Sequence, residues 1–449
     1  MSNLRALLWA MLAPAVVAIG WWWRAGGLHD EVAAAQTSVA ARAPALKQTA
    51  SGEVTTKPDA PASAPALATA AAIAVLPQAK AAAVDPSQQR EEVCGHGLLT
   101  EQDLVRLFPR EVQIETQQRL ADALGHGNER EQALAHVLGL VSQFDRVQAN
   151  LHTLCGEDMA CQLRVGNDPR LRPAERHSAD LVALAQRSLD PWVYALTVAL
   201  VCRFRDPSVA AAAVPGCQSI TPQGWQARAP DDAGPYLWQA SLAARRKDEA
   251  GVQAALLQAA QQPKLSSDYF AVHQPLWASP AWQSLKPLER TQELVSLIGV
   301  SAAFVQDMFT PRSYCLPVRP GDAQQAQTCD GLVRLFTAES ASMLHHGMGT
   351  RIAAARGWPV AQLKPLQDTS DAFATFQAER FPVSEPMFSC SSIARLETRL
   401  RDTAALGEVG ALRKAMQTSG KSFEEWASSG REQRLMRELA QAQAASAPR

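Results

Sequence analysis

The sequence predicts an almost entirely α-helical protein, and three observations lead to this fold class. Alanine is abundant among the 449 residues, and alanine loses almost no side-chain freedom when it enters a helix. Aromatic residues make up only 6% of the chain. Apolar residues recur at spacings of three and four in several segments, which is typical of one helix face. We expect an irregular helical bundle or a solenoid of helix pairs, and no segment alternates clearly enough to predict a strand.

The composition is that of a folded protein without a preference for polyanions. With 47% hydrophobic and 19% charged residues, the chain is long enough and apolar enough to bury a substantial core. Its formal net charge is −1, so it has no overall electrostatic attraction to nucleic acid or to anionic lipid. We therefore expect no nucleic-acid partner.

The first apolar segment has the length of a membrane span. Residues 6–23 carry no charge and lie between Arg5 and Arg24, and as a helix they would reach about 27 Å. Tryptophans at the end of the segment suit the membrane interface. We predict a signal anchor in the inner membrane, with residues 1–5 in the cytoplasm. A cleaved signal peptide, cut near residues 32–35, and a buried core helix are the alternatives.

Composition divides the rest of the chain into a linker, a body and a tail. Residues 24–90 are rich in Ala, Pro, Ser and Thr, and such a segment cannot bury enough surface to offset its chain entropy. We predict that it is a disordered linker. The helical domain is predicted over residues 91–442, and residues 443–449 are predicted to be a disordered tail.

The eight cysteines indicate an oxidising compartment. None belongs to a Cys-x-x-Cys motif, so neither a zinc ribbon nor a thioredoxin-type redox site is present. An even number with three short spacings favours structural disulfides, and eight free thiols in a reducing compartment are the alternative. With the anchor, the bridges would place the C-terminal domain in the periplasm. The predicted pairs are Cys155–Cys161, Cys202–Cys217, Cys315–Cys329 and, from the two cysteines that are left, Cys94–Cys390.

Capping signals predict the start of two helices. Asn128 with Glu131 three residues later has the pattern of a capping box, in which each side chain bonds the other's backbone. Asp190 with Pro191 has the pattern of an N-cap followed by a first-turn proline.

The second half of the body is also predicted to be helical. Two longer helices are expected over residues 288–309 and 331–348. Helical spacing resumes after Ser391, where Leu400 and Leu406 are among the residues spaced for burial.

Residues 234–263 resemble one unit of a tetratricopeptide (TPR) repeat. Two helices of about a dozen residues meet at Lys247 and Asp248, with small residues where the helices must approach. The positions that carry the resemblance are Tyr236, Ala240 and Ala243 in the first helix, Val252, Leu256 and Ala259 in the second, and Pro263 at its end. Val252 stands where a small residue is usual. The resemblance implies a concave protein-binding surface and no chemistry.

One short motif suggests nucleotide binding, but a helix boundary explains it equally well. Gly420, Lys421 and Ser422 match the end of a phosphate-binding loop, yet Ala415 stands where the first glycine belongs. Gly420 can instead end one helix while Ser422 caps the next, with Glu425 completing a capping box.

No other motif predicts a catalytic, cofactor or metal site. His345 and His346 adjoin on a predicted helix, where their side chains point about 100° apart and do not readily share a metal ion. Neither His-Glu-x-x-His nor Gly-x-Ser-x-Gly occurs. We expect no cofactor, and no motif indicates an enzyme, although acid and base residues that lie far apart in sequence leave no motif.

The tryptophans of the body are expected mainly in the core, at helix junctions. Leu276, Trp277 and Trp282 are the exception, because they lie in a proline-rich segment that could present aromatic side chains to a partner. These three residues are the predicted partner surface.

These inferences combine into a membrane-tethered periplasmic helical module that binds another protein or a cell-envelope component. Two alternatives stay open at this point. One is an enzyme, such as a hydrolase, that acts on an envelope polymer with acidic residues brought together from distant helices. The other is a structural spacer within an envelope complex.

Overall fold

The computed structural model describes residues 90–100, 103, 106–107, 109–156, 158, 161–162, 165, 176–202, 214–266, 268–302, 308–380, 386 and 388–446. The predicted anchor and nearly all of the predicted linker lie outside these residues. Within the part of the chain that is described, no helix combines the length and the apolar character that a membrane crossing requires.

The described residues form sixteen α-helices and one β-hairpin. In chain order the elements are β1 Arg90–Val93, β2 Gly97–Thr100, α1 Arg110–Leu124, α2 Glu129–Cys155, α3 Arg176–Arg187, α4 Pro191–Thr197, α5 Pro222–Gln226, α6 Gly234–Arg245, α7 Glu249–Ala260, α8 Gln274–Ala278, α9 Pro280–Gln283, α10 Pro287–Ala302, α11 Phe309–Cys315, α12 Ala323–Phe336, α13 Met343–Ala355, α14 Val360–Arg380, α15 Cys390–Gln417 and α16 Phe423–Ser446. A π-helical turn, Val198–Cys202, continues α4, and 3₁₀ turns occur at Cys217–Ser219 and Asp268–His273. The all-α fold class is confirmed.

The hairpin corrects the expectation that the body contains no strand. Strands β1 and β2 pair antiparallel, with Val93 opposite Gly97. Each strand has four residues, which is too short for alternation to be recognised in the sequence. Gly95 and Gly97 have φ angles of 81° and 78° at the turn, a backbone conformation that favours glycine. Val93 is buried against Leu288 and Phe388.

Three larger groups of buried apolar residues hold the helices together. The first joins α1–α4 with α8–α10 and contains Trp192 and Trp282. The second joins α6 and α7 with α11–α13 around Phe336. The third lies between α14, α15 and α16, where Phe376 meets the ring of Trp426 edge to face.

The capping signals correctly predicted where helices begin. The side chain of Asn128 accepts from the backbone N–H groups of Arg130 and Glu131, and Glu131 accepts in return from the Asn128 N–H. Asp190 caps α4 by accepting from the Trp192 N–H at 2.8 Å.

Two helix predictions in the second half were too long. The segment 288–309 contains α10, described as far as Ala302, and the first residue of α11, while Met308 is not helical and residues 303–307 lie outside the described residues. The segment 331–348 is divided because α12 ends at Phe336 and Ser342 caps a new helix, α13, through the His345 N–H. A serine hydroxyl that satisfies a free N–H group favours a new helix start over continuation of the old helix.

The predicted helix pair within residues 234–263 is present as α6 and α7. Ala240, Ala243, Leu256 and Ala259 are all buried, as the small-residue pattern requires. Lys247 takes a positive φ of 57° in the turn between the helices.

The eight cysteines form four disulfides with the expected partners. The bridges are Cys94–Cys390, Cys155–Cys161, Cys202–Cys217 and Cys315–Cys329, and no cysteine is free. Cys94–Cys390 joins residues 296 positions apart. It therefore ties the hairpin to the start of α15.

Candidate protein-binding surface

The predicted partner surface at Leu276, Trp277 and Trp282 is wrong. Leu276 and Trp282 are fully buried in the first core, and Trp277 is partly buried. The prolines of this segment begin the short helices α8 and α9, which turn the apolar side chains inward. The guanidinium of Arg401 lies over the Trp277 ring, 4.8 Å from the ring centre.

The structure exposes apolar side chains on another element, the last helix, α16. Leu435, Met436 and Leu439 are 53%, 64% and 58% exposed. Leu439 lies four positions after Leu435 and three positions after Met436, and residues at these two spacings are neighbours on a helix surface. The three side chains therefore form one patch, which we call the α16 stripe. Its size and spacing suit packing against a helix of another protein.

The opposite side of α16 is fixed against α14. A Cβ atom at Gly430 would lie 2.2 Å from the carbonyl oxygen of Asp371, so the two helices approach each other at van der Waals distance there. Arg434 donates to both carboxylate oxygens of Asp371, with Nε–Oδ1 and Nη2–Oδ2 distances of 3.0 Å. Because two parallel hydrogen bonds join the two side chains, this pairing fixes both the distance between α14 and α16 and the rotation of α16 at this point.

A second set of ion pairs lies one turn earlier in α14. The carboxylate of Asp368 accepts from Lys364 of its own helix and from Arg431 of α16. Burial alone would raise the pKa of Asp368, but the hydrogen bonds from Lys364 and Arg431 reverse this and lower it. Asp368 thus stays charged and partnered at neutral pH.

These contacts explain why the α16 stripe faces away from the core. Turning Leu435, Met436 and Leu439 inward would require α16 to rotate and leave Asp368 and Asp371 without their arginines. Asp371 would then lose its forked partner, and Asp368 would keep only Lys364. Because both arginines are partly exposed, solvent screening makes this cost smaller than that of breaking a fully buried ion pair. The packing of α14 against α16 therefore keeps the α16 stripe exposed.

A groove of about 450 Å³ lies at the other end of α16. It is lined by the end of α15 and the start of α16, with Met416 at its base and Phe423, 39% exposed, at its rim. Lys421 in the groove is engaged, since its Nζ lies 2.6 Å from Glu379 and 4.3 Å from the centre of the Trp426 ring. The groove thus offers apolar surface more than unpaired charge.

The Gly420–Ser422 segment forms the helix boundary that was the alternative to a phosphate-binding loop. Gly420 has a φ of 84°. The Ser422 hydroxyl accepts from the Glu425 N–H at 3.2 Å, and the Glu425 carboxylate accepts from the Ser422 N–H at 2.6 Å. The backbone donors that a phosphate would need are therefore occupied by the cap.

A pair of acidic side chains, which the sequence did not reveal, lies between α1, α2 and α10. Asp145 accepts from the Gln117 amide at 3.2 Å, while neither carboxylate oxygen of Glu293 has a hydrogen-bond partner. Burial, and then the negative charge of Asp145, raise the pKa of Glu293 well above its usual value. Both residues are buried, with exposures of 8% and 1%. They lie within the core and do not line an open cleft.

The adjoining histidines His345 and His346 are both buried. The Ser342 hydroxyl contacts Nδ1 of His345 at 2.8 Å, and Ser370 contacts Nδ1 of His346 at 3.3 Å. Burial, together with the charge of Arg413, lowers the pKa of His346 to about 4. These histidines are packed within the protein, and they do not belong to the group of possible metal ligands found among the described residues.

The α16 stripe could have been recognised from the sequence in part. Leu435 and Leu439 are four residues apart on a segment that is otherwise highly charged, which is a weak amphipathic signal. The exposure of the stripe could not be predicted, because the stripe's orientation depends on ion pairs such as Arg434–Asp371, which join residues 63 positions apart.

Comparisons with protein-family models, with curated proteins and with solved structures give no match to this chain. The resemblance of residues 234–263 to a TPR unit therefore stays a prediction, supported locally by the helix pair α6 and α7.

Proposed function

We propose that this protein is a membrane-tethered periplasmic module that binds another envelope protein, and that the α16 stripe receives an amphipathic helix of that partner. The tether would be residues 6–23, and the disulfide-bonded body would project into the periplasm. The observation that carries the proposal is the exposure of Leu435, Met436 and Leu439 on a helix whose other side is fixed by buried ion pairs.

Physical chemistry supports this use of the stripe. Exposed apolar side chains that form one patch are a common feature of protein interaction sites. The three side chains recur at helical spacing, so a partner helix could bury them with its own apolar face. Arg431 and Arg434 flank the stripe and are held by α14, which gives the apolar patch a polar rim of the kind that surrounds interface cores.

The placement of the acidic residues favours binding over hydrolysis. A glycosidase-type mechanism needs two carboxylates that flank a bound substrate. Asp145 and Glu293 are close enough for one charge to shift the pKa of the other, but both are buried in the core. Among the described residues, the groove beside Phe423 has no acidic side chain in its lining.

Site-specific photocrosslinking in intact cells tests the proposal. A photoreactive amino acid at Met436 of the full-length chain should form a covalent adduct with one other envelope protein. The same amino acid at Glu115, an exposed position on α1, should form no such adduct. Adding Leu435→Glu and Leu439→Glu should abolish the adduct, because charge on the stripe prevents apolar burial.

A control must show that the Leu435→Glu, Leu439→Glu double variant is still folded. The double variant must keep the helical circular dichroism and the four bridges of the wild type, which we expect because both side chains are exposed. An adduct that forms equally at Glu115, that survives the two glutamates, or that contains only lipid or a second copy of this chain would contradict the proposal.

A further inference from the structure

Two histidines and an aspartate from different helices meet near the start of α3. His136 belongs to α2, whereas His177 and Asp180 belong to α3. One potential ligand atom from each residue lies within 4.8 Å of the other two, and all three side chains are partly exposed. His177 and Asp180 are three residues apart, so they share one face of α3, and His136 faces them across the helix contact.

Gly139 makes this meeting of side chains possible. A Cβ atom at position 139 would lie 2.5 Å from Cε1 and 2.6 Å from Nε2 of His177, which is closer than atoms can approach. The imidazole therefore lies directly against the backbone of α2, one turn after His136. Glycine within a helix costs about 1 kcal/mol relative to alanine, and here it provides the space for the ring.

The polar atoms of this cluster are incompletely satisfied by the protein. Nδ1 of His177 is buried and has no hydrogen-bond partner, and the rings of His136 and His177 are tilted against each other with centres 5.9 Å apart. A buried polar atom without a partner requires an explanation, and a ligand or ion is one of the few available.

We propose that His136, His177 and Asp180 bind a zinc ion. Two imidazoles and one carboxylate are a ligand set that zinc commonly takes. Ligand atoms bound at about 2.1 Å in a tetrahedron lie about 3.4 Å apart, so the separations of up to 4.8 Å need only small side-chain rotations. This site goes beyond the proposed partner binding and does not depend on it.

Three protein ligands leave the fourth position of a tetrahedral ion for water or for a small molecule from solution. The partial exposure of all three side chains gives the ion a path from solvent.

The local charges permit a divalent cation. Two arginines lie near the cluster: Arg176, whose Nε is 3.8 Å from Asp180 Oδ2 and whose side chain is 85% exposed, and Arg187, an exposed residue whose charge acts on His136. An exposed pair of this kind contributes little stability, so Arg176 can turn into solvent when the ion binds Asp180.

Zinc titration of the full-length, detergent-purified chain tests the site after treatment with a chelator. We expect one zinc ion per chain. His136→Ala, His177→Ala and Asp180→Asn should each weaken binding by about 100-fold or more, since losing even a residue that only orients a ligand costs about 10–100-fold. X-ray absorption of the zinc-loaded protein should show nitrogen and oxygen ligands at about 2.0–2.1 Å.

Two further variants separate this site from weak binding to other histidines. His152→Ala removes an exposed histidine from the same helix, α2, and should leave the affinity unchanged. Gly139→Ala displaces the His177 ring and should weaken binding although every ligand is retained. Each variant is compared at equal helicity in the metal-free state.

Several outcomes would overturn the proposal. These are the absence of zinc binding at micromolar concentration, binding that survives His177→Ala in a protein of wild-type helicity, and equal losses in His177→Ala and His152→Ala. Excess zinc should also raise the midpoint of thermal unfolding of the wild type, since an ion that binds only the folded state stabilises it. The midpoint of His177→Ala should not move.

Discussion

Removing the Cys94–Cys390 bridge should destabilise the body more than removing any other bridge. Cross-linking residues 296 positions apart restricts the unfolded chain far more than cross-linking residues 6 positions apart, as Cys155–Cys161 does. The loop-entropy relation gives about 5–6 kcal/mol for the long loop and about 2 kcal/mol for the short one. The other bridges shorten the long loop only slightly, so they change this figure little.

The assay is urea unfolding of the full-length chain in mild detergent, followed by circular dichroism. Cys94→Ala with Cys390→Ala should lower the free energy of unfolding by about 3 kcal/mol more than Cys155→Ala with Cys161→Ala does. Both cysteines of a bridge are replaced so that no free thiol can exchange with the remaining bridges. Equal losses for the two double variants would refute the loop-entropy reasoning.

Three further changes test the packing and the buried charges. Gly430→Ala places a Cβ atom 2.2 Å from the Asp371 carbonyl oxygen and should lower the free energy of unfolding in urea by about 2 kcal/mol. The control, Gly347→Ala, adds a Cβ atom that meets nothing within 4 Å and should be neutral or slightly stabilising. Equal effects of the two substitutions on stability would contradict the close contact between α14 and α16. Burial lowers the pKa of His346 from 6.5 to about 4, so its neutral ring stabilises the folded protein above pH 6.5, and up to about 3 kcal/mol of this stability is lost as the pH falls to 4. His346→Asn, unfolded in urea across the same pH range, should lack this loss of stability. Parallel curves of stability against pH for the wild type and the variant would refute the prediction. The raised pKa of Glu293 has the opposite consequence, because the unfolded chain loses this proton first as the pH rises above about 4.5, and the wild type then loses stability. Glu293→Gln should therefore gain stability relative to the wild type as the pH rises above 5 in the same assay. A difference that stays constant with pH would show that folding does not raise the pKa of Glu293.

Local features of the fold could be predicted from the sequence. The caps at Asn128 and Asp190 depend on residues within a few positions, so their patterns are visible directly. The short cysteine spacings likewise limited the pairings, and elimination then indicated Cys94–Cys390.

Features that depend on an irregular backbone could not be predicted. Leu406 was expected in the core from its spacing, but it is 44% exposed. The cause is the next residue, Gly407, which has a φ of 76° and kinks α15. A Cβ atom there would lie 2.9 Å from the backbone of Ser340, so the kink depends on a contact with a distant segment.

The candidate sites depend on contacts between distant segments for the same reason. His136 and His177 are 41 positions apart, and Gln117 and Asp145 are 28 positions apart. Neither pair forms a motif at fixed spacing. Only the packing of helices brings these side chains together, and no periodicity within one helix reports it.

The most direct test of the account is the location of the full-length chain together with the state of its thiols in intact cells. We predict that the protein stays with the inner membrane after an alkaline carbonate wash and that its eight cysteines react with a maleimide only after unfolding and reduction. Recovery of the intact chain in the soluble cytoplasmic fraction, with eight thiols that react without reduction, would contradict the anchor, the compartment and the proposed function together.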